Sequence, residues 1–315
     1  MKPAAPGAGS RRGFLAQAAA AAGICVVTAC GGVAVPRAAA GLWLEPLYGF
    51  SGATLTDKSH PGGPPLPGGN EMSLSFLFPV AAVASLGAIF IADAGYGKLF
   101  RYERSSGLMA AVAGIRIAAG SKLHADQNGT VYILDPMGSE IHRHSMHGLP
   151  LHVMHSRLPT NRYLDFTVDG TTGRAFAVDS VHRVIDQIEP GGRVAIAHLE
   201  LDAAGPIVVD GGSLYVADAK CGCVTEWRNG GIARRLAAGK VRLPRGLVAE
   251  RGEIYLLDGF DRSISRVYEG GLETILPADL NLVSPEQISV SNGIMYVADG
   301  VSRSVAVFRI RRRQA

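Results

Sequence analysis

Residues 244–258 read Pro-Arg-Gly-Leu-Val-Ala-Glu-Arg-Gly-Glu-Ile-Tyr-Leu-Leu-Asp, two short apolar runs joined by a Gly-containing turn and ended by an aspartate. The second run, apolar–aromatic–apolar before the Asp, occurs six times in the chain. The copies end at Asp93, Asp135, Asp179, Asp218, Asp258 and Asp299, at intervals of 42, 44, 39, 40 and 41 residues. A constant period near 40 residues is typical of one structural unit repeated along the chain.

Each repeat divides into short apolar runs separated by Gly, Asn, Asp and Ser, a pattern that predicts strands joined by tight turns. In the fifth repeat the predicted strands are 246–249, 254–257, 263–268 and 272–276. Four antiparallel strands in about 40 residues form a propeller blade, whose faces are buried only by neighbouring blades. The sequence therefore predicts an all-β fold, a six-bladed β-propeller of four-stranded antiparallel blades. Its 40 glycines in 315 residues fit so many turns.

The two ends of the repeat region predict how the ring closes. The sixth repeat has a third strand, residues 304–308, and then runs into Arg-Ile-Arg-Arg-Arg-Gln-Ala, which we expect to be a solvated tail. The missing fourth strand is expected from residues 42–50, which would pair beside the last blade and cover its exposed edge. The Pro/Gly-rich segment that begins at His60 would then be a surface loop leading into the first blade.

The repeat resembles the NHL repeat, a six-bladed propeller module. The resemblance rests on the pattern Pro-x-Gly-apolar followed by Gly-x-apolar-Tyr-Val-Ala-Asp, best matched at 244–258, 212–218 and 293–299, and it covers roughly residues 72 to 310. Where the family has Asn-x-Arg after the aspartate, this chain has Ser302-Arg303-Ser304 and Asp261-Arg262-Ser263. Enzymes of related propellers carry several inward His ligands for zinc, or an inward Glu–Asn–Asp set for calcium. On the predicted inner strands we find His124 but neither complete set.

The amino-terminal residues predict export and a lipid anchor. Ser10-Arg11-Arg12-Gly13-Phe14-Leu15 resembles a twin-arginine signal, and the Ala-rich stretch after it is shorter than the roughly 20 residues needed to span a bilayer. Val27-Thr28-Ala29-Cys30 resembles a lipobox, which would make Cys30 the lipidated first residue of the mature chain; the alternative is cleavage after Ala40. We therefore expect a signal peptide at 1–29, a tether with the closing strand and loop at 30–71, and the propeller at 72–315.

An export signal followed by a lipid anchor predicts a protein on the periplasmic side of a bacterial envelope. Gly31 favours anchoring to the outer membrane, and a soluble periplasmic protein is the alternative. Cleavage would remove three basic residues and no acidic one, so the formal net charge falls from +4 to +1. A near-neutral chain lacks the basic surface typical of nucleic-acid binding, so we expect no nucleic-acid partner.

The central channel is the first candidate site. Because the six aspartates occur once in every repeat, they are expected to accept backbone N–H bonds in turns instead of doing chemistry. Aligning the repeats places six inner-strand residues at one level near a channel mouth: Ala81, Lys122, Asp165, Pro206, Gly246 and Gln287. We predict ligand binding by Lys122, Asp165 and Gln287, with Lys122 and Asp165 pairing between adjacent blades. The alternative is a channel with a structural role alone.

Two further clusters are candidates. The second repeat is rich in histidine and methionine, and His142 and His144 share one face of a strand, an arrangement suited to zinc or copper. The alternative is an ordinary solvated rim. Cys221 and Cys223 would be the thiols left after Cys25 is cleaved and Cys30 is lipidated, and an oxidising compartment favours a disulfide between them. Free thiols, a metal pair or a redox-active bridge remain alternatives.

These features predict a monomeric, non-enzymatic binding or assembly module for a protein, peptide or glycan, which contacts the membrane through its lipid anchor only. No cofactor is expected. The alternative function is a periplasmic hydrolase or lyase that uses a divalent metal (Zn, Cu or Ca) at the channel mouth.

Overall fold

The computed structural model describes residues 42–55, 72–137, 139–156, 160–191, 194–198, 203, 205–276 and 282–312. All regular elements of the described residues are strands, and none of these residues forms a helix long and apolar enough to cross a membrane. In chain order the strands are β1 (Leu42–Phe50), β2 (Gly52–Leu55), β3 (Met72–Ser75), β4 (Pro79–Ser85), β5 (Ala88–Asp93), β6 (Lys98–Glu103), β7 (Leu108–Val112), β8 (Lys122–Ala125), β9 (Val131–Asp135), β10 (Glu140–His144), β11 (Pro150–His155), β12 (Tyr163–Val168), β13 (Ala175–Asp179), β14 (Val184–Ile188), β15 (Val194–His198), β16 (Ile207–Asp210), β17 (Ser213–Asp218), β18 (Cys223–Arg228), β19 (Gly231–Leu236), β20 (Pro244–Glu250), β21 (Glu253–Asp258), β22 (Ser263–Tyr268), β23 (Gly271–Leu276), β24 (Pro285–Ser291), β25 (Ile294–Asp299) and β26 (Ser304–Arg312).

These strands form six antiparallel blades, as the sequence predicts. The first strand of each blade is the innermost, and β4, β8, β12, β16, β20 and β24 touch one another in that order, with β24 returning to β4. Because neighbouring strands run antiparallel, the inner strands begin on the same side of the ring as the turns that join second to third strands. We call this side the top face and the other side the bottom face.

The ring is closed by the amino-terminal strand. β1 pairs with β26 as the fourth strand of the sixth blade, with Leu42 opposite Arg312 and Phe50 opposite Val305. The expectation that residues 309–312 form a solvated tail is wrong, because β26 continues through them. Their arginines lie against β1 and the fifth blade, where Arg311 Nε is 2.7 Å from the Glu45 carboxylate. Arg313 lies outside the described residues.

The first blade carries an extra hairpin that the repeat pattern does not predict. β2 runs parallel to β7 at the outer edge of this blade, and β3 pairs with β2. The Pro/Gly-rich loop at 56–71 lies outside the described residues. So do Arg11, Arg12 and Cys30, and the export signal and the lipid anchor therefore stay predictions.

The repeated run forms the packing surface between blades. Its aromatic residues are almost fully buried, with Tyr132, Tyr255 and Tyr296 each 1% exposed. Both faces of a second strand are covered, because one face meets the preceding blade and the other meets the next. One core cluster, for example, joins Tyr255 of the fifth blade to Val297 of the sixth and to Leu44 of the closing strand. Burying a large apolar side chain contributes about 1.5–3 kcal/mol, so these interfaces dominate the stability of the ring.

The repeated aspartates support the turns of the top face. The Asp299 carboxylate accepts hydrogen bonds from the backbone N–H of Val283 (2.6 Å), Ser284 (3.0 Å) and Ser302 (3.0 Å). It therefore ties the segment that leads into an inner strand to the turn after the second strand of the same blade. The same two-sided pattern occurs at Asp93 and Asp258.

Candidate functional site

The aligned inner-strand residues do lie at one level of the channel. Each is paired with the residue just before a repeated aspartate: Ala81 with Ala92, Lys122 with Leu134, Asp165 with Val178, Gly246 with Leu257 and Gln287 with Ala298. In the fourth blade the Ala217 N–H donates to Pro206 O, which gives the same register. The sequence alignment of the channel mouth is therefore geometrically correct.

Gln287 spans from the sixth blade to the second. Its Oε1 accepts from Leu123 N–H at 3.2 Å, and its Nε2 donates to Leu123 O at 2.8 Å. The first blade lies between them, and its residue at this level is Ala81, whose methyl group leaves room for the amide to cross. Inner strands are sheet edges with unpaired backbone groups, and this amide satisfies two of them.

Lys122 reaches across the channel. Its Nζ donates to Glu286 O at 3.0 Å and to Arg245 O at 3.3 Å, so the ammonium of the second blade is held by the sixth and fifth blades. Burial lowers the pKa of Lys122, and the negative charge of Asp165 partly offsets this effect. The expected direct pair is not formed, because Lys122 makes no ion pair with Asp165 among the described contacts.

Asp165 bonds instead to the fourth blade. Its Oδ2 accepts from Ile207 N–H at 3.0 Å, and two positions further along the strand Thr167 Oγ1 accepts from Val209 N–H at 3.2 Å. Burial raises the pKa of Asp165 to about 6, against the lowering effect of the Lys122 charge. A carboxyl group with a pKa near neutrality can give or take a proton at physiological pH.

Below this level the channel holds a cavity of about 640 Å³ lined by inner strands of all six blades. This volume lies within the range of small-molecule pockets. His124 lies on an inner strand, as predicted, packed edge-on against Tyr132 and Phe166. Burial lowers the pKa of His124 to about 4, so the imidazole is neutral near neutral pH. Lys122, Asp165 and Gln287 thus lie at the same level at the top of the cavity, and their role in ligand binding stays a prediction.

The top face exposes several apolar side chains. Six of them lie on the adjacent fifth, sixth and first blades and are called the apolar arc: Leu243, Phe260, Val283, Val301, Leu77 and Tyr96. Phe260 is 64% exposed and Val301 58%. Phe260 and Val301 each follow a repeated aspartate by two residues. Met137 and Val181 occupy the same position in the second and third blades. This surface was not predicted from the sequence, although an apolar residue at a fixed turn position is a signal that points to it.

Neighbouring blades are in direct contact beneath the arc. A side chain at Gly300 would collide with the Phe78 ring, whose nearest atom lies 2.6 Å from the Cβ position, so the sixth blade packs directly onto the first. Within the fifth blade, a Cβ at Gly259 would meet the Arg245 side chain at 2.7 Å. Glycine at these two turn positions therefore lets the segments below the arc approach closely.

Basic residues predominate among the exposed charged residues of the top face. The exposed basic residues in described loops, turns and strand ends of the top face are Lys98, Arg116, Arg162, Arg183, Lys220, Lys240, Arg242, Arg245, Arg262 and Arg303, and Asp261 is the exposed acid among them. On the bottom face the described turns and strand ends hold Glu103, Asp126, Asp169, Glu189, Asp210, Glu250, Glu253 and Glu269 beside Arg104, Arg174, Arg228, Arg251, Arg309, Arg311 and Arg312. The exposed charge of the described top face is therefore mostly positive, whereas the bottom face carries both signs in similar numbers.

The predicted histidine site lies on the rim of the second blade. His142 Nε2 is 3.5 Å from the Glu140 carboxylate, which also contacts His155 Nδ1 at 3.0 Å. His144 turns inward, its Nδ1 3.2 Å from Gly148 O, and burial lowers its pKa. Among the described residues no group of three or more His, Cys, Asp or Glu could hold a metal ion, and the zinc or copper site stays a prediction.

Cys221 and Cys223 form a disulfide bond in the top-face turn of the fourth blade. Gly222 between them has a positive φ of 61°, and a Cβ there would lie 3.1 Å from Gly239 Cα. The bridge therefore braces a turn where the backbone of two segments approaches closely.

No protein-family model matches the chain, and no curated protein matches it. Its fold is similar to that of several solved structures. Virginiamycin B lyase from Staphylococcus aureus is 12% identical, with 76% of this chain and 85% of that one covered and a TM-score of 0.58. A gluconolactonase from Xanthomonas campestris is 16% identical, with 77% and 91% covered and a TM-score of 0.56. A protein of unknown function from Bacteroides thetaiotaomicron is 12% identical, with 86% and 76% covered and a TM-score of 0.62. At such identities the likeness shows the six-bladed propeller fold and nothing of the chemistry.

Proposed function

We propose that the protein is a non-enzymatic binding module that holds a protein, peptide or glycan on the top face of its propeller. The observation that carries the proposal is the apolar arc, which runs over three adjacent blades. Large contiguous apolar surfaces are rare on monomeric proteins and mark interaction sites. Exposed arginines next to apolar side chains on the fifth and sixth blades fit the composition of binding interfaces, in which Arg is enriched.

The direction of the chain supports this choice of face. Leu42 is paired with Arg312, at the end of β26 that lies on the bottom face. The described chain therefore begins on the bottom face, opposite the apolar arc. If Cys30 carries a lipid, as the sequence predicts, the tether joins the fold at the bottom face and leaves the top face accessible to partners.

Site-specific photocrosslinking tests the proposal. A benzoylphenylalanine residue replaces Phe260 on the arc or, as a control, Leu149, which is 58% exposed on the second blade and away from the arc. We expect a discrete adduct in cells of the native host from position 260 and none from position 149. Mass spectrometry of the adduct then distinguishes a polypeptide from a glycan. Identical adduct patterns from both positions, or no adduct from position 260, would refute binding at this face.

The second candidate function is a hydrolase or lyase with its site at the channel mouth. The observation that favours it is Asp165, whose pKa of about 6 suits a general acid or base at the top of a 640 Å³ cavity. Solved propellers of similar fold include a lyase and a gluconolactonase. Elemental analysis of the purified protein separates the two functions. A stoichiometric divalent metal that disappears in His124→Gln, or in the double variant His142→Gln/His144→Gln, would replace the binding proposal with the enzymatic one.

A further inference from the structure

The side chains of the apolar arc are mostly aliphatic. Sugars and nucleobases bind proteins largely by stacking on aromatic rings, which the aliphatic Leu77, Val283 and Val301 cannot provide. The Phe260 ring is already covered on one side, because the Arg242 guanidinium lies 5.0 Å from its centroid. Aliphatic side chains instead fill their contact surface best against the apolar side chains of a polypeptide.

Positive charge follows the two most exposed side chains of the arc in the sequence. Arg262 follows Phe260 by two residues, and Arg303 follows Val301 by two, both at the ends of their turns. Neither arginine makes an ion pair with any described residue, so both are available to a partner. Arg242 is shared with Asp261 at 3.4 Å and stays 59% exposed. Guanidinium groups in this arrangement bind carboxylates through paired hydrogen bonds.

From these two observations we infer that the top face binds an acidic polypeptide segment, in which Asp or Glu residues alternate with aliphatic ones. The inference rests on the proposed function and names the class of partner. Aliphatic residues of the segment pack on the arc, while its carboxylates pair with Arg262, Arg303 and Arg242. The bottom face has no comparable excess of positive charge, so charge favours the top face for such a segment.

The test begins with a library of random peptides of about a dozen residues displayed on phage and selected on the immobilised protein. The peptide enriched most is synthesised, and its affinity for the wild type is measured by fluorescence anisotropy. We expect enriched peptides to combine acidic and aliphatic residues. Their affinity should fall at least about tenfold in Phe260→Ser/Val301→Ser and in Arg262→Glu/Arg303→Glu, and it should weaken as salt rises.

Matched controls change the same residue types elsewhere. Leu149→Ser/Leu151→Ser removes exposed aliphatic residues of the second blade, and Arg104→Glu reverses a charge on the bottom face. Affinity should stay within about twofold of the wild type in both. Thermal unfolding of every variant establishes that the ring is intact.

The outcomes separate the inference from the proposed function. One outcome is that enriched peptides lose affinity in Phe260→Ser/Val301→Ser yet carry no acidic residues and keep their affinity in Arg262→Glu/Arg303→Glu. That result would overturn the acidic class of partner but would still support binding at the top face. Peptides indifferent to all top-face variants, or no enriched peptide at all, overturn the inference. Concentration-dependent self-association that the same variants abolish in sedimentation experiments would assign the arc to a second copy of this chain and would also overturn the inference.

Discussion

Replacing Asp299 by Ala removes an acceptor that three backbone N–H groups share. Asp299 is fully buried, and its bonds to Val283, Ser284 and Ser302 join two segments of the sixth blade. A hydrogen bond to a charged group contributes about 1.5–3 kcal/mol, and water can reach part of these donors once the carboxylate is gone. We therefore expect a loss of about 4 kcal/mol, which lowers the Tm of a chain of this size by roughly 8–16 °C.

The second blade provides the control at the equivalent position. Asp135 is only half-buried, and among the described residues its carboxylate accepts one bond, from Met137 N–H at 2.9 Å. Asp135→Ala should cost about 1 kcal/mol, or roughly 2–4 °C in Tm. Circular dichroism during heating, with urea titration as a second measure, compares the two variants. Equal losses in the two variants would show that the number of bonds to the carboxylate does not set its contribution, and the reasoning would fail.

Three further predictions concern the channel and the closure of the ring. Burial raises the pKa of Asp165 to about 6 from 3.8, so the folded state binds this proton more tightly and the stability it contributes is lost as pH rises between these values. Urea titrations should show that the free energy of unfolding falls between pH 4 and pH 7 by about 2–3 kcal/mol more in the wild type than in Asp165→Asn. Equal falls in the two proteins would contradict the raised pKa. Gln287→Leu leaves the N–H and C=O of Leu123 unpaired and should cost about 1–3 kcal/mol in thermal unfolding, whereas a residue that serves only a ligand would leave the Tm of the ligand-free protein unchanged. Deleting residues 42–50 removes three buried core side chains and exposes β26, so we expect a loss of about 5–8 kcal/mol and aggregation on size-exclusion chromatography; an unchanged Tm would refute closure by β1.

Most of the fold could be predicted from the sequence, because its determinants are local. The fifth repeat shows how closely: the predicted third strand coincides with β22, and the others differ only at their ends. The extra hairpin of β2 and β3 was missed, because it lies outside the repeat and gains its pairing from β7, more than 50 residues further along the chain. Residues 309–312 were misassigned because a run of arginines is polar, whereas their place in β26 depends on pairing with β1.

The sequence by itself determined the number of blades, the level of the channel residues and the strand that closes the ring, because apolar alternation and a constant period depend on neighbours in the chain. Only the tertiary structure decided which side chains meet. Gln287 and Leu123 are 164 residues apart, yet they share two hydrogen bonds because the ring brings its sixth and second blades together around Ala81. The apolar arc has the same origin, since turns from three blades become one surface only when packing between blades aligns them.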